Sequence, residues 1–220
     1  MTMLRHNTVI WDWNGTLLDD VDISIAATQS LLAERGLPLL TKERYKAVFG
    51  FPVRNYYSTI GFNFDKEPFE IPANQYMDNY RALSPNANLN REAISTILKI
   101  KELGCSQYIL SAMEHSLLSK MTEEAGLHPY LNGIFGIEND YADSKSHIGK
   151  RMVMHLNLDP HYCLMVGDTL HDAEVAKECG FDCVLFAGGH FSKERLETLQ
   201  IPVIDSLNNV LNFIHPYKQK

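Results

Sequence analysis

Four short apolar runs in this 220-residue chain each hand over to a group that could do chemistry. Asp12 follows NTVIW (7–11), Ser111 follows QYIL (107–110), and Asp168 follows CLMVG (163–167), with Asp172 beyond it. Lys145 opens a helical stretch after NGIFGI (132–137) and its loop. A carboxylate, a hydroxyl, an ammonium and a carboxylate pair on successive loops fit the transfer of a phosphoryl group. That reaction needs an in-line nucleophile, donors for the equatorial oxygens and a cation to offset charge. Asp12 suits attack, Ser111 and Lys145 suit the oxygens, and Asp168 suits Mg²⁺, which keeps several waters and needs one or two protein carboxylates. Each group also has a plain alternative. Ser111 with Glu114 and Thr169 with Asp172 read as capping boxes, and Lys145 reads as a solvated helix residue. Asn14-Gly15 within VIWDWNGTLLDD (9–20) is a strong local hairpin signal, since both residues tolerate positive φ. What decides is whether distant parts of the chain bring partners to Asp12.

The elements that must position these groups follow a βαβ rhythm. SQYIL (106–110), NGIFGI (132–137), YCLMV (162–166) and DCVLF (182–186) are short, apolar and bounded by turn residues, and NTVIW supplies a further strand at the start. Helical patterns lie between them at roughly 91–103, 114–125, 145–156 and 170–179. The expected fold is α/β: a Rossmann-like parallel sheet with helices on both faces and ligands collecting beyond the carboxyl ends of the strands. Residues 19–86 break the rhythm with helical patterns at about 21–35, 41–48 and 73–83, and LSPNANLN (83–90) looks like a linker back to the sheet. The expected organisation is a core of residues 1–18 and 87–220, with a small helical domain of residues 19–86 inserted after the first strand.

Composition excludes several classes. With 45% hydrophobic and 21% charged residues the chain has the balance of a globular protein, and a net charge of −7 argues against a broad nucleic-acid surface. No run approaches a membrane span, and the N-terminus lacks the apolar core of a signal peptide. The four cysteines form no CxxC pair or zinc-like spacing, which suits reduced thiols and a cytoplasmic location. A monomer or homodimer is expected, with no nucleic-acid or membrane partner.

DWNGTLLDD resembles the first motif of the haloacid dehalogenase-like hydrolases, written DxDGT in their phosphatases. Ser111 in ILSAM, Lys145 in DSKSH and GDTLHD (167–172) resemble the second, third and fourth motifs, in order and over most of the chain. The inserted helical segment and CLMVGDTLHDAEVAKECGFDCVLFAGG are most similar to phosphoglycolate phosphatases and their relatives. The resemblance implies a phosphatase that acts on a small phosphorylated metabolite through an aspartyl-phosphate on Asp12. It also implies Mg²⁺ held by Asp12, Asp168 and the carbonyl of Asn14, with Asp172 nearby, and phosphate bound by Gly15, Thr16, Ser111, Ala112 and Lys145. FGFPVRNYY (49–57) is similar to a cap loop of that branch, which makes Arg54 a candidate for the substrate's far end; an exposed helix arginine is the alternative.

The departure is Asn14, where the phosphatases carry a second aspartate that protonates the leaving oxygen and then activates water. An amide does neither, and such help is typically worth about 10²–10⁴-fold, so slow turnover is expected. Two further readings follow: a catalytically weak phosphate-binding or regulatory protein on the same scaffold, and a carbon–phosphorus bond hydrolase. The second would need a cap lysine, and Lys42, Lys46 and Lys66 lie in the inserted segment. His171, His115, His147 and His190 lie near expected loop ends and are candidate stand-ins for the missing acid.

Overall fold

The five runs read as buried strands lie side by side in one parallel sheet, in a computed structural model that describes residues 6–138 and 144–214. Residues 1–5, where the N-terminal stretch read for a leader begins, lie outside the described residues. In chain order, β1 (Thr8–Trp11) leads through β2 (Leu18–Asp19) into α1 (Val21–Glu34), α2 (Lys42–Val48), α3 (Val53–Thr59) and α4 (Glu70–Leu83), returning through β3 (Asn88–Leu89). Then follow α5 (Ala93–Glu102), β4 (Ser106–Glu114), α6 (His115–Glu124), β5 (Gly133–Ile137) and α7 (Lys145–Leu156). The chain continues through β6 (Cys163–Gly167), α8 (Leu170–Cys179), β7 (Asp182–Phe186), α9 (Lys193–Leu196) and β8 (Val203–Ile204).

The sheet order is β5-β4-β1-β6-β7-β8, with every pairing parallel. Side chains alternate between its two faces. Val9 and Trp11 pack with Ile97 and Ile100 of α5 and Leu118 of α6, whereas Ile10 packs with Ile148 and Met152 of α7 and Val175 of α8. Strands buried on both faces explain why these runs are continuously apolar rather than alternating. From β1 the chain builds outward to β5 on one side and then crosses to β6 on the other. The carboxyl ends of β1, β4 and β6 therefore surround the crevice at the reversal, where loops from both halves of the sheet converge.

The helical insertion has a cluster of its own, in which Val21, Ile25, Leu31 and Leu32 of α1 meet Tyr45, Tyr56, Tyr57 and Phe62. Its two connections to the sheet are tied together, because β2 and β3 pair antiparallel, Leu18 opposite Leu89 and Asp19 opposite Asn88. Among the described residues, no helix is long and apolar enough to cross a membrane. All four cysteines are free thiols, three of them buried.

Several local expectations give way. Gly15 does turn the chain, at φ +73°, and the Leu18 amide donates to the Trp13 carbonyl at 2.9 Å. No hairpin follows, because β4 and β6 occupy both edges of β1 and leave the residues after the turn to pair with β3. Strand β4 runs on to Glu114, so Ser111 lies inside a strand and forms no capping box; Glu114 itself caps α6, accepting from the Ser116 amide at 3.1 Å. Helix α3 forms between the helical patterns expected at 41–48 and 73–83, where its Tyr56 and Tyr57 are buried by the rest of the insertion. The short β8 and α9 carry too few residues to show a period.

Candidate active site

Asp12 is the first residue beyond β1, and its amide extends the ladder by donating to the Val166 carbonyl at 2.8 Å. The carboxylate is thereby aimed into the crevice and is nearly buried. Lys145, the first residue of α7, is no solvated surface lysine: it is 4% exposed and its ammonium bonds Asp12 and, at 2.5 Å, Asp172. Burial works against the ammonium, but these two carboxylates more than offset it and hold the proton on above the ordinary lysine range. Thr16 Oγ1 donates to Asp168 at 2.9 Å and to Asp12 at 3.4 Å, tying the two loops together.

The loop after β6 is organised around Asp172. Its Oδ2 accepts from the amides of Asp168 (3.2 Å) and Thr169 (2.9 Å) and from the Thr169 hydroxyl (2.7 Å), a capping box for α8 as the sequence suggested. Burial would raise the Asp172 carboxyl, yet the charge of Lys145 and these hydrogen bonds keep it below the ordinary range. Asp12 goes the other way: burial pushes it well up, Asp172 and Asp168 add to the push, and Lys145 resists. Asp168 is pushed up to about 6 by burial, against the opposing charge of His190.

Oxygen atoms of Asp12, Asp168 and Asp172 lie within 4.8 Å of one another. Burial is the larger cause of the raised Asp12 and Asp168 carboxyls, and three buried carboxylates facing one ammonium add to it by leaving two negative charges unmatched. A hard divalent cation supplies that balance, and an all-oxygen donor set is what Mg²⁺ takes. The site fits the ion. Gly15 and Gly189 make room for the cluster: a methyl group added at Gly15 would lie 2.4 Å from Asp168 Oδ2, and one at Gly189 would lie 2.1 Å from the same atom.

A second buried network lies beside the first, and the sequence reading missed it. Asp20, the residue that opens α1, is 1% exposed. It accepts from the Gly15 amide (2.8 Å), Asn14 Nδ2 (2.8 Å), Tyr80 Oη (2.7 Å) and His190 Nε2 (3.2 Å). Burial opposes the carboxylate, but His190, Asn14 and Tyr80 together hold it below its ordinary range. Burial likewise opposes protonation of His190, and Asp20 reverses that, raising the imidazole to about 9. His190 also ties both networks to the insertion: its amide donates to Asp168 at 2.6 Å, and Nδ1 lies 2.9 Å from Tyr45 Oη. The signals in the sequence were the third aspartate of DWNGTLLDD, to which no role was assigned, and His190, noted there as a histidine near an expected loop end.

Comparison with known proteins settles the family. The description "Haloacid dehalogenase-like hydrolase" matches residues 9–186. The chain belongs to the haloacid dehalogenase-like hydrolases. A probable phosphatase, IndB, of Dickeya dadantii is 24% identical over 94% of this chain and 93% of its own. A phosphoglycolate phosphatase of Caulobacter vibrioides is 23% identical over 89% of this chain and 85% of its own, and the hydrolase lies in the branch that such enzymes represent. Its fold matches a haloacid dehalogenase-like family protein from Streptococcus pneumoniae with a TM-score of 0.82, at 22% identity, covering 97% of this chain and 99% of that one.

In this hydrolase the acidic cluster opens into a cavity of about 810 Å³ between the sheet crevice and the inserted helices. Asp12, Asn14, Ser111, Ala112, Lys145 and Asp172 all line it. Ser111 Oγ accepts from the Met113 amide at 3.1 Å, which fixes the hydroxyl at the end of the apolar part of β4. Gly15 and Thr16 lie behind the cluster, bonded to Asp20 and Asp168. Arg54 is not brought to the cavity; its guanidinium stacks over Phe64 at 4.9 Å and Phe69 at 5.9 Å, because α3 turns it away from the aromatic residues that face inward. Of the histidines, His171 and His190 line the cavity, whereas the His115 ring accepts from the Gly136 amide at 3.3 Å and His147 does not line it. None of Lys42, Lys46 and Lys66 lines it either: Lys42 pairs with Asp22, and Lys46 reaches the Gly188 carbonyl.

Proposed function

We propose that the protein is a Mg²⁺-dependent phosphatase that hydrolyses a small phosphorylated metabolite through an aspartyl-phosphate on Asp12, with residues 19–86 as a cap that excludes water and selects the substrate. The observation that carries this is Asp12 paired with Lys145 at the floor of a cavity shared with Ser111. Asp12, Asp168 and the Asn14 carbonyl would hold Mg²⁺, which when bound offsets charge on the transferring phosphoryl group. Asp172, its Oδ2 already accepting three hydrogen bonds, positions Lys145 and the Asp168 loop.

The Asp12 carboxylate attacks phosphorus and the ester P–O bond breaks, while Lys145 and the Ser111 hydroxyl donate to the non-bridging oxygens. Water then attacks the acyl phosphate and frees Asp12. Neither step finds an ordinary acid or base at residue 14, whose amide hydrogens go to Asp20 and to Tyr80, the latter at 2.7 Å. His190 carries a proton, but Asp20 holds it. Alkyl esters, whose leaving groups need a proton, should therefore turn over much more slowly than aryl esters. No lysine of the insertion reaches the cavity to form the imine that carbon–phosphorus cleavage requires, so ester hydrolysis is the reading supported.

The test is steady-state hydrolysis of p-nitrophenyl phosphate by the wild type and by Asp12→Asn, each with Mg²⁺ and with EDTA. Turnover that needs both Asp12 and Mg²⁺ is the expected result. Equal rates in EDTA, or near-normal turnover by a folded Asp12→Asn protein, would overturn the assignment.

A further inference from the structure

An oxygen that leaves phosphorus must take up a proton or bear its charge alone, so the groups around Asp12 limit what can depart. Asn14 stands in the cavity lining beside Asp12. Its amide is pinned: Nδ2 donates to Asp20 Oδ2 at 2.8 Å and to Tyr80 Oη at 2.7 Å, and Tyr80 Oη in turn donates to Asp20. With both hydrogens engaged, Asn14 has only Oδ1 to offer. An acceptor can receive a hydrogen bond from water but gives nothing to an alkoxide.

The other proton carriers of the lining are engaged as well. Lys145 is shared by Asp12 and Asp172, and His190 lies between Asp20 (3.2 Å) and Tyr45 Oη (2.9 Å). Burial pushes the hydroxyls of Tyr45, Tyr56, Tyr57, Tyr76 and Tyr80 up, Tyr56 to about 12, which makes them weaker acids than usual. Glu114 accepts from Ser116, and Asp78 is ion-paired with Arg81. His171 meets Glu174 at 3.3 Å, with its ring 5.0 Å from that of Phe51.

A carboxylate is the group that leaves without a proton. The pKa of its acid, about 4, is far below that of a phenol, about 10, or of an alcohol, close to water's at about 15.7. The lining also favours its release. Asp12, Asp20, Asp78, Glu114 and Asp172 outnumber the cations Arg81, Lys145 and His190, so a freed anion is repelled from the cavity.

We propose that the preferred substrates are acyl phosphates, the mixed anhydrides of a carboxylic acid and phosphate. This rests on the phosphatase reading above and specifies its leaving group. In the first step Asp12 attacks phosphorus, the bond from phosphorus to the acyl oxygen breaks, and the electron pair leaves on the carboxylate. One mixed anhydride replaces another, so the step is close to level, whereas an alkyl ester must climb to the aspartyl-phosphate. In the second step water attacks phosphorus, the bond to Asp12 breaks, and both water hydrogens leave on dihydrogen phosphate. Here too the departing group is a carboxylate, and a loose transition state draws little on water's proton.

Benzoyl, phenyl and benzyl phosphate carry the same ring and lose a carboxylate, a phenoxide and an alkoxide. Phosphate release by the intact protein with Mg²⁺, less the enzyme-free rate, gives kcat/KM for each, which reads the steps up to departure of the leaving group. In the wild type the values should fall in that order, benzoyl above benzyl phosphate by at least about 100-fold, the lower bound of what a general acid supplies. Asn14→Asp should narrow the gap by at least about 10-fold by raising benzyl phosphate, which takes the anhydride's intrinsic lability out of the comparison. The wild-type series decides alone if the variant does not fold. A wild-type gap under about 100-fold, or a gap left as wide in folded Asn14→Asp, overturns the proposal, and turnover that still needs Asp12 and Mg²⁺ would leave the phosphatase reading standing. Brisk benzyl phosphate turnover that falls in His171→Gln would place the acid at His171 and likewise overturn it. No turnover of any of the three by folded protein overturns the phosphatase reading and the substrate preference together.

Discussion

Replacing Asn14 with aspartate restores the residue that phosphatases of the family carry, and the structure sets the consequence. Asn14 Nδ2 donates to Asp20 Oδ2 at 2.8 Å, so Asn14→Asp brings two carboxylates together in a nearly closed site. At that separation, with an effective dielectric near 20, two negative charges repel by about 6 kcal/mol. Keeping a proton at pH 7 on a carboxyl of ordinary pKa costs only about 4 kcal/mol, so the pair takes up a proton and shares it. The hydrogen bond lost with the amide is then regained as O–H···O⁻, and about 4 kcal/mol remains as the net penalty. For a chain of this length that lowers the melting temperature by roughly 8–16 °C at pH 7. The sign follows from a folded pKa raised above the unfolded one. The penalty grows from pH 4 upward by about 1.4 kcal/mol per pH unit, levels off above the raised pKa, and nearly vanishes at pH 4. The shared proton faces the cavity, so alkyl phosphate hydrolysis should rise by at least about 10-fold even as stability falls. Thermal melts of wild type and Asn14→Asp from pH 5 to 8 in EDTA, with alkyl and aryl phosphate assays at pH 7, measure both. Melting curves that stay parallel across this range would refute the Asn14–Asp20 contact. An unchanged alkyl rate in a folded variant would show that Asn14 is not what limits proton transfer. The exchange Asn14→Asp with Asp20→Asn, which again sets one carboxylate against one amide, should recover part of the lost stability.

The wild type has its own pH dependence through His190, whose proton Asp20 raises to about 9. Its stabilisation is fully present below the unfolded histidine pKa and is lost as pH rises through about 9, at most about 3 kcal/mol, and a melting series from pH 6 to 10 in EDTA reads it. Arg195 fastens the insertion to the sheet domain by donating to the carbonyls of Lys46 (2.9 Å) and Phe49 (2.7 Å) while stacking on Phe191. Arg195→Ala should cost roughly 1–3 kcal/mol in chemical denaturation and raise KM more than it lowers kcat. Gly15→Ala places a methyl group against Asp168 and His190 at a positive φ, so it should abolish turnover and Mg²⁺ binding by calorimetry before it abolishes folding.

The sequence by itself carried the sheet and the placement of several residues of the candidate site. A strand buried on both faces must be a short apolar run, and in a parallel sheet the residue after such a run must stand at its carboxyl end. NTVIW and CLMVG therefore announced both the strands and the positions of Asp12 and Asp168, whereas β4 runs on past QYIL to Glu114 and holds Ser111 within it. The capping box of Thr169 and Asp172 was legible for the same reason, since it acts across one turn of helix. What tertiary structure alone decided are contacts between residues whose separation in sequence has no period. His190 meets Asp20 from 170 residues away, and Lys145 is drawn from an apparent surface position into a buried pair with Asp12. Local signals were overruled where long-range burial offered more. Asn14-Gly15 turned the chain but made no hairpin, because β1 was already paired on both edges. Arg54 lay in a motif-like segment, yet the direction of α3 turned it onto Phe64 and Phe69, and that direction is set by which of its neighbours, Tyr56 and Tyr57, the rest of the insertion could bury.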